Sequence, residues 1–136
     1  MAKNDLLIVS GKRKTSVAKA SIFPGNGHVT INDIPYEKLF IFHKLMIEEP
    51  LMIAKRNLKD FNFDLKVRVT GGGRESQIEA ARLAIAKVLV RKTKSEALKK
   101  AFSKYDKHML VADVRRKEAC KPGDSKARAK RQKSYR

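Results

Sequence analysis

The sequence predicts an α+β fold, a two-layer α/β sandwich in which helices cover one face of a β-sheet. Apolar and polar residues alternate from Phe63 to Thr70, a pattern typical of a half-buried strand. Between Arg74 and Arg91, apolar residues recur at helical spacing and form one stripe: Ile78, Ala81, Ile85, Val88 and Leu89. The length of 136 residues fits one domain with a single core.

The first part of the chain predicts three strands separated by turns. We expect strands at Leu6–Val9 and Val17–Phe23, joined by a basic turn over Ser10–Thr15. The Pro24–Gly27 segment is a strong turn signal, and a short strand at His28–Ile31 follows it. These elements precede the strand that ends at Thr70 and supply the remainder of the predicted sheet.

The other predicted elements are helices. Tyr36–Phe42 and Leu51–Asn57 are predicted as two short helices, with Pro50 marking the start of the second because proline is tolerated in a first turn. Another helix is expected from Ser95 to about Tyr105. On the long helix, apolar residues also lie off the main stripe, so we expect that helix to bury two faces.

Charge divides the chain into a body and a basic arm. The 32 Lys and Arg residues outnumber the 14 Asp and Glu residues, which gives a formal net charge of +18. Residues 115–136 hold 10 basic and 2 acidic residues and contain no Leu, Ile, Val, Phe or Met. Such a segment cannot contribute to a core. We therefore predict a globular body over residues 1–114 and an extended C-terminal arm over residues 115–136.

The charge favours a polyanionic partner, because a compact fold with a net charge of +18 repels itself. Tyr135 lies among the cations of the arm, and this favours RNA, since tyrosine stacks on bases while arginine binds phosphates. On composition alone, DNA and anionic membranes stay open as alternatives. The Gly71–Gly73 run before a helix has two interpretations, a cradle for an RNA phosphate or a tight connection between strand and helix.

No residue pattern indicates catalysis or metal binding. The Gly11–Ser16 segment does not match a phosphate-binding loop, because Leu6 stands where that motif has glycine and Arg13 stands where it has Ser or Thr. The three histidines lack paired ligand spacing, and Cys120 is the single cysteine. No apolar run is long enough to span a bilayer or form a signal peptide. We expect a soluble, cytoplasmic protein without catalytic residues, metal or cofactor, and an ordinary free-standing enzyme is disfavoured.

Several segments, taken in order, resemble one known family over nearly the whole chain. They are Gly11–Ala18, Gly25–Asn32, Gly71–Gly73 with Gln77, and Ala127–Arg136. Each segment is a weak signal alone, but their order and spacing are specific. Together they resemble the ninth protein of the small ribosomal subunit, in its archaeal form.

The resemblance implies a mixed sheet with a left-handed βαβ crossover, and a location in the head of the small subunit. It also implies contacts with ribosomal RNA and neighbouring head proteins, and an arm that reaches tRNA in the peptidyl site. The basic clusters and the resemblance together assign these residues to ribosomal RNA: Lys12, Arg13, Lys14, Gly71, Gly72, Gly73, Arg115, Arg116, Lys117, Arg128, Lys130 and Arg131. The resemblance assigns these to tRNA, the last as the terminal phosphate contact: Lys133, Ser134, Tyr135 and Arg136.

The sequence departs from the family pattern at three places. Ser76 stands where glycine is common, Val114 stands where proline is frequent, and residues 119–125 differ from the usual Lys/Gly/Pro-rich composition. These changes affect the expected path of the arm more than its end. The leading hypothesis is a structural ribosomal protein, and the alternatives are an extra-ribosomal RNA-binding protein and a small-molecule phosphotransferase, since the implied fold also hosts kinases.

Overall fold

The computed structural model describes residues 7–58, 60–123 and 126–130, and within them it forms one sheet and three α-helices. The predicted α+β class is therefore confirmed. The strands are β1 (Leu7–Arg13), β2 (Ser16–Pro24), β3 (Val29–Ile31), β4 (Ile34–Pro35) and β5 (Phe63–Thr70). The α-helices are α1 (Ile41–Asn57), α2 (Arg74–Thr93) and α3 (Glu96–Tyr105). Short 3₁₀ turns lie at Tyr36–Lys38 and Lys107–Met109.

The sheet is mixed, with strand order β1-β2-β5-β3-β4. Strand β2 pairs antiparallel with β1 and with β5, while β3 pairs parallel with β5 and antiparallel with β4. Because parallel neighbours need a crossover, the chain passes through α1 between β3 and β5. The mixed sheet agrees with the resemblance, and the left-handed crossover stays a prediction.

The core lies between the sheet and α2. Alternate residues of β5, Leu65, Val67 and Val69, are at most 5% exposed, which confirms the predicted half-buried strand. Opposite them, α2 buries small residues that let the helix approach the sheet closely, and it also buries Leu83 away from the main stripe. The helix therefore buries more than one face, as predicted. Lys66 points to the opposite, exposed face of the sheet.

The first hairpin differs from the prediction. Strand β1 continues to Arg13, so the basic residues expected in a long turn at Ser10–Thr15 mostly belong to the strand. Pairing of Arg13 with Ser16 leaves only a two-residue turn. The reason is Gly11, which lies on the covered face and is buried beneath α2, so that packing extends the strand past the point where its sequence becomes polar.

The region before β5 was predicted wrongly as two short helices. A single helix runs from Ile41 to Asn57, and Pro50 lies in its interior instead of at a helix start. Proline removes one backbone hydrogen bond from a helix interior. Here the helix persists because Ile47, Leu51 and Ala54 are buried on the same face, against α2 and α3, so tertiary packing outweighs the local cost.

Candidate nucleic-acid interface

A basic cleft forms where the turn between β1 and β2 meets the first residues of the arm. Its volume is about 580 Å³. The residues that line it are Arg13, Lys14, Thr15, Arg115, Arg116 and Lys117. Two clusters that the sequence analysis assigned to RNA, about a hundred residues apart in the chain, therefore meet at one surface. Lys12 is the exception, since it lines a neighbouring hollow with Glu79 and Arg82 and not the cleft.

The hairpin turn brings Lys14 to the mouth of this cleft. Lys14 adopts a left-handed conformation, with φ of 52°, as the first residue of the two-residue turn. Short hairpin turns need such a residue because the backbone must reverse within the twist of the two strands. The side chain of Lys14 is exposed, so the turn presents its charge to solvent.

Asp113 holds the start of the arm against the hairpin. Its carboxylate accepts a hydrogen bond from Arg13 Nη1 at 2.8 Å. The same carboxylate accepts bonds from Arg115, from Nε at 2.8 Å, from Nη2 at 2.6 Å and from the backbone N–H at 2.8 Å. These hydrogen bonds from Arg115 hold the pKa of the Asp113 carboxyl well below its usual range. The carboxylate therefore stays charged and keeps the two basic clusters together.

Arg13 is largely committed to the interior of this assembly. It also donates from Nε to Glu79 on α2, and its side chain is only 17% exposed. Because two carboxylates already neutralise the charge of Arg13, its attraction for a phosphate is weak. The structure thus makes Arg13 a positioning residue for the arm, and its direct contact with RNA stays a prediction.

The free charge of the cleft comes from its other members. Within residues 7–58, 60–123 and 126–130, no carboxylate pairs with Lys14, Arg116 or Lys117. Arg116 donates only to backbone carbonyls, at 3.1 and 2.9 Å, which leaves its positive charge uncompensated. Three unpaired cations around one concave surface form a site suited to phosphate groups.

The glycine run joins β5 to α2 and passes close to the first hairpin. Gly71 and Gly72 have φ of 74° and 68°, in the left-handed region that favours glycine. A Cβ on Gly72 would lie 2.0 Å from Ser16 Oγ, and one on Gly71 would lie 2.7 Å from the Thr15 carbonyl oxygen. These contacts support the interpretation as a tight connection, and the phosphate cradle stays a prediction.

Ser76, one of the three departures noted in the sequence, has a structural role. Its hydroxyl accepts a hydrogen bond from the Gly73 N–H at 3.0 Å and lies 2.8 Å from the Ser16 hydroxyl. Ser16 in turn donates to the Gly71 carbonyl at 2.9 Å. Both serines are buried, so this small polar network fixes the start of α2 against the hairpin.

Further along the arm, Arg128 Nε donates to Glu118 at 3.0 Å, and Lys130 is exposed. Beyond the 3₁₀ turn that ends at Met109, the residues that the structure describes form no helix or strand. The remaining predicted RNA and tRNA residues lie outside the described residues. These are Arg131, Lys133, Ser134, Tyr135 and Arg136.

The sequence analysis gave no functional role to three cations on the exposed face of the sheet, Lys19, Lys66 and Arg68. The alternation in β5 already indicated that Lys66 and Arg68 share a face. What the sequence did not reveal was that Lys19 lies opposite Arg68 in the pairing of β2 with β5.

The described ranges contain neither a metal-binding cluster nor a membrane-spanning helix. No group of three or more His, Cys, Asp or Glu side chains in these ranges is arranged to hold a metal ion. None of the described helices combines the length and apolar character that a membrane span requires.

Comparison with known proteins gives a consistent result. The family model described as ribosomal protein S9/S16 matches residues 11–136. Small ribosomal subunit protein uS9 of Desulfurococcus amylolyticus is 46% identical over 135 residues, which cover 98% of this chain and 95% of that protein. The uS9 protein of Thermoplasma acidophilum is 44% identical, with 96% of this chain and 100% of that protein covered. The uS9 protein of Pyrobaculum aerophilum is 44% identical, with 96% and 92% covered.

Proposed function

The chain belongs to the ribosomal protein S9/S16 family, and from this premise we propose that its basic cleft binds ribosomal RNA. As a family member it is a structural constituent of the small ribosomal subunit and acts in translation. Ribosomal proteins of this family are not enzymes, so the prediction of a non-enzymatic protein is confirmed and the phosphotransferase alternative is set aside.

The main support for the proposal is that basic residues of the hairpin and of the arm lie side by side around Asp113. The hairpin supplies Lys14 and the arm supplies Arg116 and Lys117 to one surface. Crowded RNA phosphates would be neutralised there, and the counterions they release would drive binding. Because Asp113 and Arg13 fix the start of the arm beforehand, less conformational entropy is lost when RNA binds.

Removing the free charges of the cleft tests this role. In the triple variant Lys14→Gln, Arg116→Gln and Lys117→Gln, three phosphate contacts are lost. The slope of log affinity against log salt should then fall by about 2–3 units, since each contact contributes about 0.7–0.9. Filter binding to small-subunit ribosomal RNA over a range of salt concentrations measures this slope.

A matched control removes the same charge from a helix away from the cleft. The control variant replaces three exposed lysines of α3 with glutamine: Lys99, Lys100 and Lys104. It should keep most of the wild-type affinity and slope. Equal losses in both triple variants would mean that net charge alone matters, and would contradict a specific role for the cleft.

For the arm, we propose an extended path through RNA in the head of the small subunit, ending at tRNA in the peptidyl site. Three features support this. Residues 115–136 carry a large basic excess and no large aliphatic residue. At about 3.3 Å per residue, 22 residues span roughly 70 Å when extended. The family resemblance implies that Arg136 contacts a tRNA phosphate, with Lys133, Ser134 and Tyr135 as supporting neighbours.

Deletion of Lys133–Arg136 separates the tRNA role from assembly. The truncated protein should enter small subunits normally, because the body and most of the arm remain, while the affinity of those subunits for peptidyl-site tRNA falls. The Arg136→Gln variant should show a smaller fall. Unchanged tRNA affinity in truncated subunits would refute the tRNA contact.

Co-sedimentation distinguishes the ribosomal role from the extra-ribosomal alternative. A structural constituent should remain with small subunits at moderate salt, because many phosphate contacts hold it at once. Protein that is found mainly free of subunits under those conditions would favour a separate RNA-binding role.

A further inference from the structure

We infer that the exposed face of the sheet binds a second stretch of RNA backbone, separate from the cleft. The helices cover only the opposite face, where alternate residues of β1, β2 and β5 are buried. On the exposed face lies a hollow of about 360 Å³. Its lining residues are Ile8, Lys19, Ser21, Lys66 and Arg68.

The pairing of the strands places like charges side by side on this face. Lys19 is directly opposite Arg68 in the antiparallel pairing of β2 with β5, and Lys66 is opposite Ser21 in the same ladder. Side chains directly opposite each other have Cβ atoms about 4.5–5.5 Å apart, and like charges at that spacing destabilise a sheet. An anion bound between Lys19 and Arg68 would remove this repulsion.

The acidic residues near this face are already bound to other groups. Asp33 binds Lys66, with Oδ1 at 2.6 Å from Nζ. This hydrogen bond lowers the pKa of the Asp33 carboxyl, and the charge of Arg68 adds a smaller effect from beyond ion-pair distance. Asp64 accepts hydrogen bonds from three successive backbone N–H groups of the turn before β3, at 2.9–3.0 Å. In the part of the chain that the structure describes, neither Lys19 nor Arg68 has a carboxylate partner. Two adjacent cations therefore remain available for an external ligand.

The composition of the face favours an RNA backbone as the occupant. Hydroxyls of Ser10 and Ser21 stand beside the cations and can donate to phosphate or sugar oxygens. Ile8, which is 50% exposed, provides apolar contact for a sugar or base. Lys12 follows on the same side of β1 and leads towards the cleft, so one RNA could contact both surfaces. This inference rests on the proposed function, since it assigns a second surface to the same RNA.

The double variant Lys19→Gln/Arg68→Gln tests the inference. Affinity of the full chain for small-subunit ribosomal RNA at 0.1 M salt should fall about 10- to 50-fold, and the salt slope should fall by about 1.4–1.8. The control Lys99→Gln/Lys100→Gln removes equal charge from α3 and should retain near wild-type values. Because the variant removes a like-charge pair, its melting temperature should be equal to or above that of the wild type, so lost binding is not a sign of unfolding.

The possible results separate this inference from the proposed function. Wild-type protein that does not bind the RNA would contradict the proposed function itself. Wild-type binding with an unchanged slope in Lys19→Gln/Arg68→Gln would overturn the second surface alone. If the double variant bound naked RNA normally but dissociated from subunits at lower salt, the face would contact an acidic protein neighbour, and the assignment to RNA would be wrong.

Discussion

Gly11→Ala is the substitution that most directly tests how the sheet and α2 fit together. Gly11 lies in the middle of β1, directly under α2. A Cβ at this position would lie 2.4 Å from the Ala80 carbonyl oxygen and 2.7 Å from the Ala84 backbone nitrogen. Ordinary contacts begin at 3.4 Å, so the helix or the strand must move by about 1 Å. Both obstructing atoms belong to helix backbone, and no side-chain rotation can relieve the clash.

Two opposing effects determine the magnitude. Gly11 is not among the glycines with positive φ, so alanine can adopt its backbone conformation. On that account alone alanine would stabilise the fold by about 0.4–1 kcal/mol, through the lower entropy of the unfolded chain. Overpacking of a core costs about 1–3 kcal/mol. We therefore expect a net loss of about 1–2 kcal/mol.

Urea denaturation followed by circular dichroism measures this difference. With a slope of about 2 kcal/mol per M, the midpoint should fall by about 0.5–1 M with little change in slope. Ser10→Ala is the matched control, because Ser10 is the neighbouring residue on the exposed face, and its effect should lie within about 0.5 kcal/mol. A Gly11→Ala protein as stable as the wild type, or more stable, would refute the close approach of β1 and α2.

Two further predictions concern the polar contacts beside the cleft. Ser16→Ala should destabilise the fold by about 1–2 kcal/mol in the same urea assay, because it removes two hydrogen bonds of a buried hydroxyl, one with the Ser76 hydroxyl and one to the Gly71 carbonyl. The pKa of Asp113 is lowered in the folded protein. Its stabilisation of the contact between arm and hairpin is therefore fully present above the unfolded-state pKa of about 3.9, and is lost only as pH falls through the lower folded pKa. The anisotropy of a dye on Cys120 should therefore stay constant from pH 7 to about pH 4 and fall only in stronger acid.

Each of these predictions has a control. Ser103→Ala removes an exposed hydroxyl from α3 and should leave the urea midpoint unchanged. If Ser103→Ala lowered stability as much as Ser16→Ala, the buried hydrogen bonds of Ser16 would not be the cause of its effect. Asp113→Asn should lower the dye anisotropy already at pH 7. An anisotropy that falls in the wild type between pH 7 and pH 5 would contradict the role of Asp113 in holding the arm.

The parts of the fold that the sequence predicted well are those in which local pattern and tertiary packing agree. Strand β5 alternates cleanly because one of its faces is buried and the other is open, and α2 repeats its apolar residues because it lies on the sheet. Helix α1 was divided wrongly because Pro50 is a local stop signal, whereas packing against two other helices keeps the helix continuous. Strand β1 was predicted too short because its last residues are basic, although the absence of a side chain at Gly11 lets the strand continue beneath α2.

The sequence predicted which basic residues form the site, but not the contacts that bring them together. Basic residues of the hairpin and the arm are visible in the sequence, and the structure brings them to one cleft. The role of Asp113 could not be predicted, since its bond to Arg13 joins residues 100 positions apart and depends on where the chain returns to the hairpin. The opposition of Lys19 and Arg68 depends likewise on the pairing of β2 with β5, two strands far apart in the chain, and local sequence does not show which strands pair.

These contacts also explain where the net positive charge resides. In the described body, most acidic side chains form ion pairs with basic side chains of the same body. Glu79 and Asp113 bind Arg13, while Asp106 binds Arg82. The surplus cations are therefore left on the surface, on the cleft, the exposed sheet face and the arm and also on the helices, where they repel one another in the free protein. Added salt screens such repulsion, so it should raise the melting temperature of the free protein while weakening its complex with RNA, in which phosphates already neutralise those charges. A melting temperature of the free protein that falls with salt would mean that the internal ion pairs outweigh the surface repulsion, and would contradict this distribution of charge.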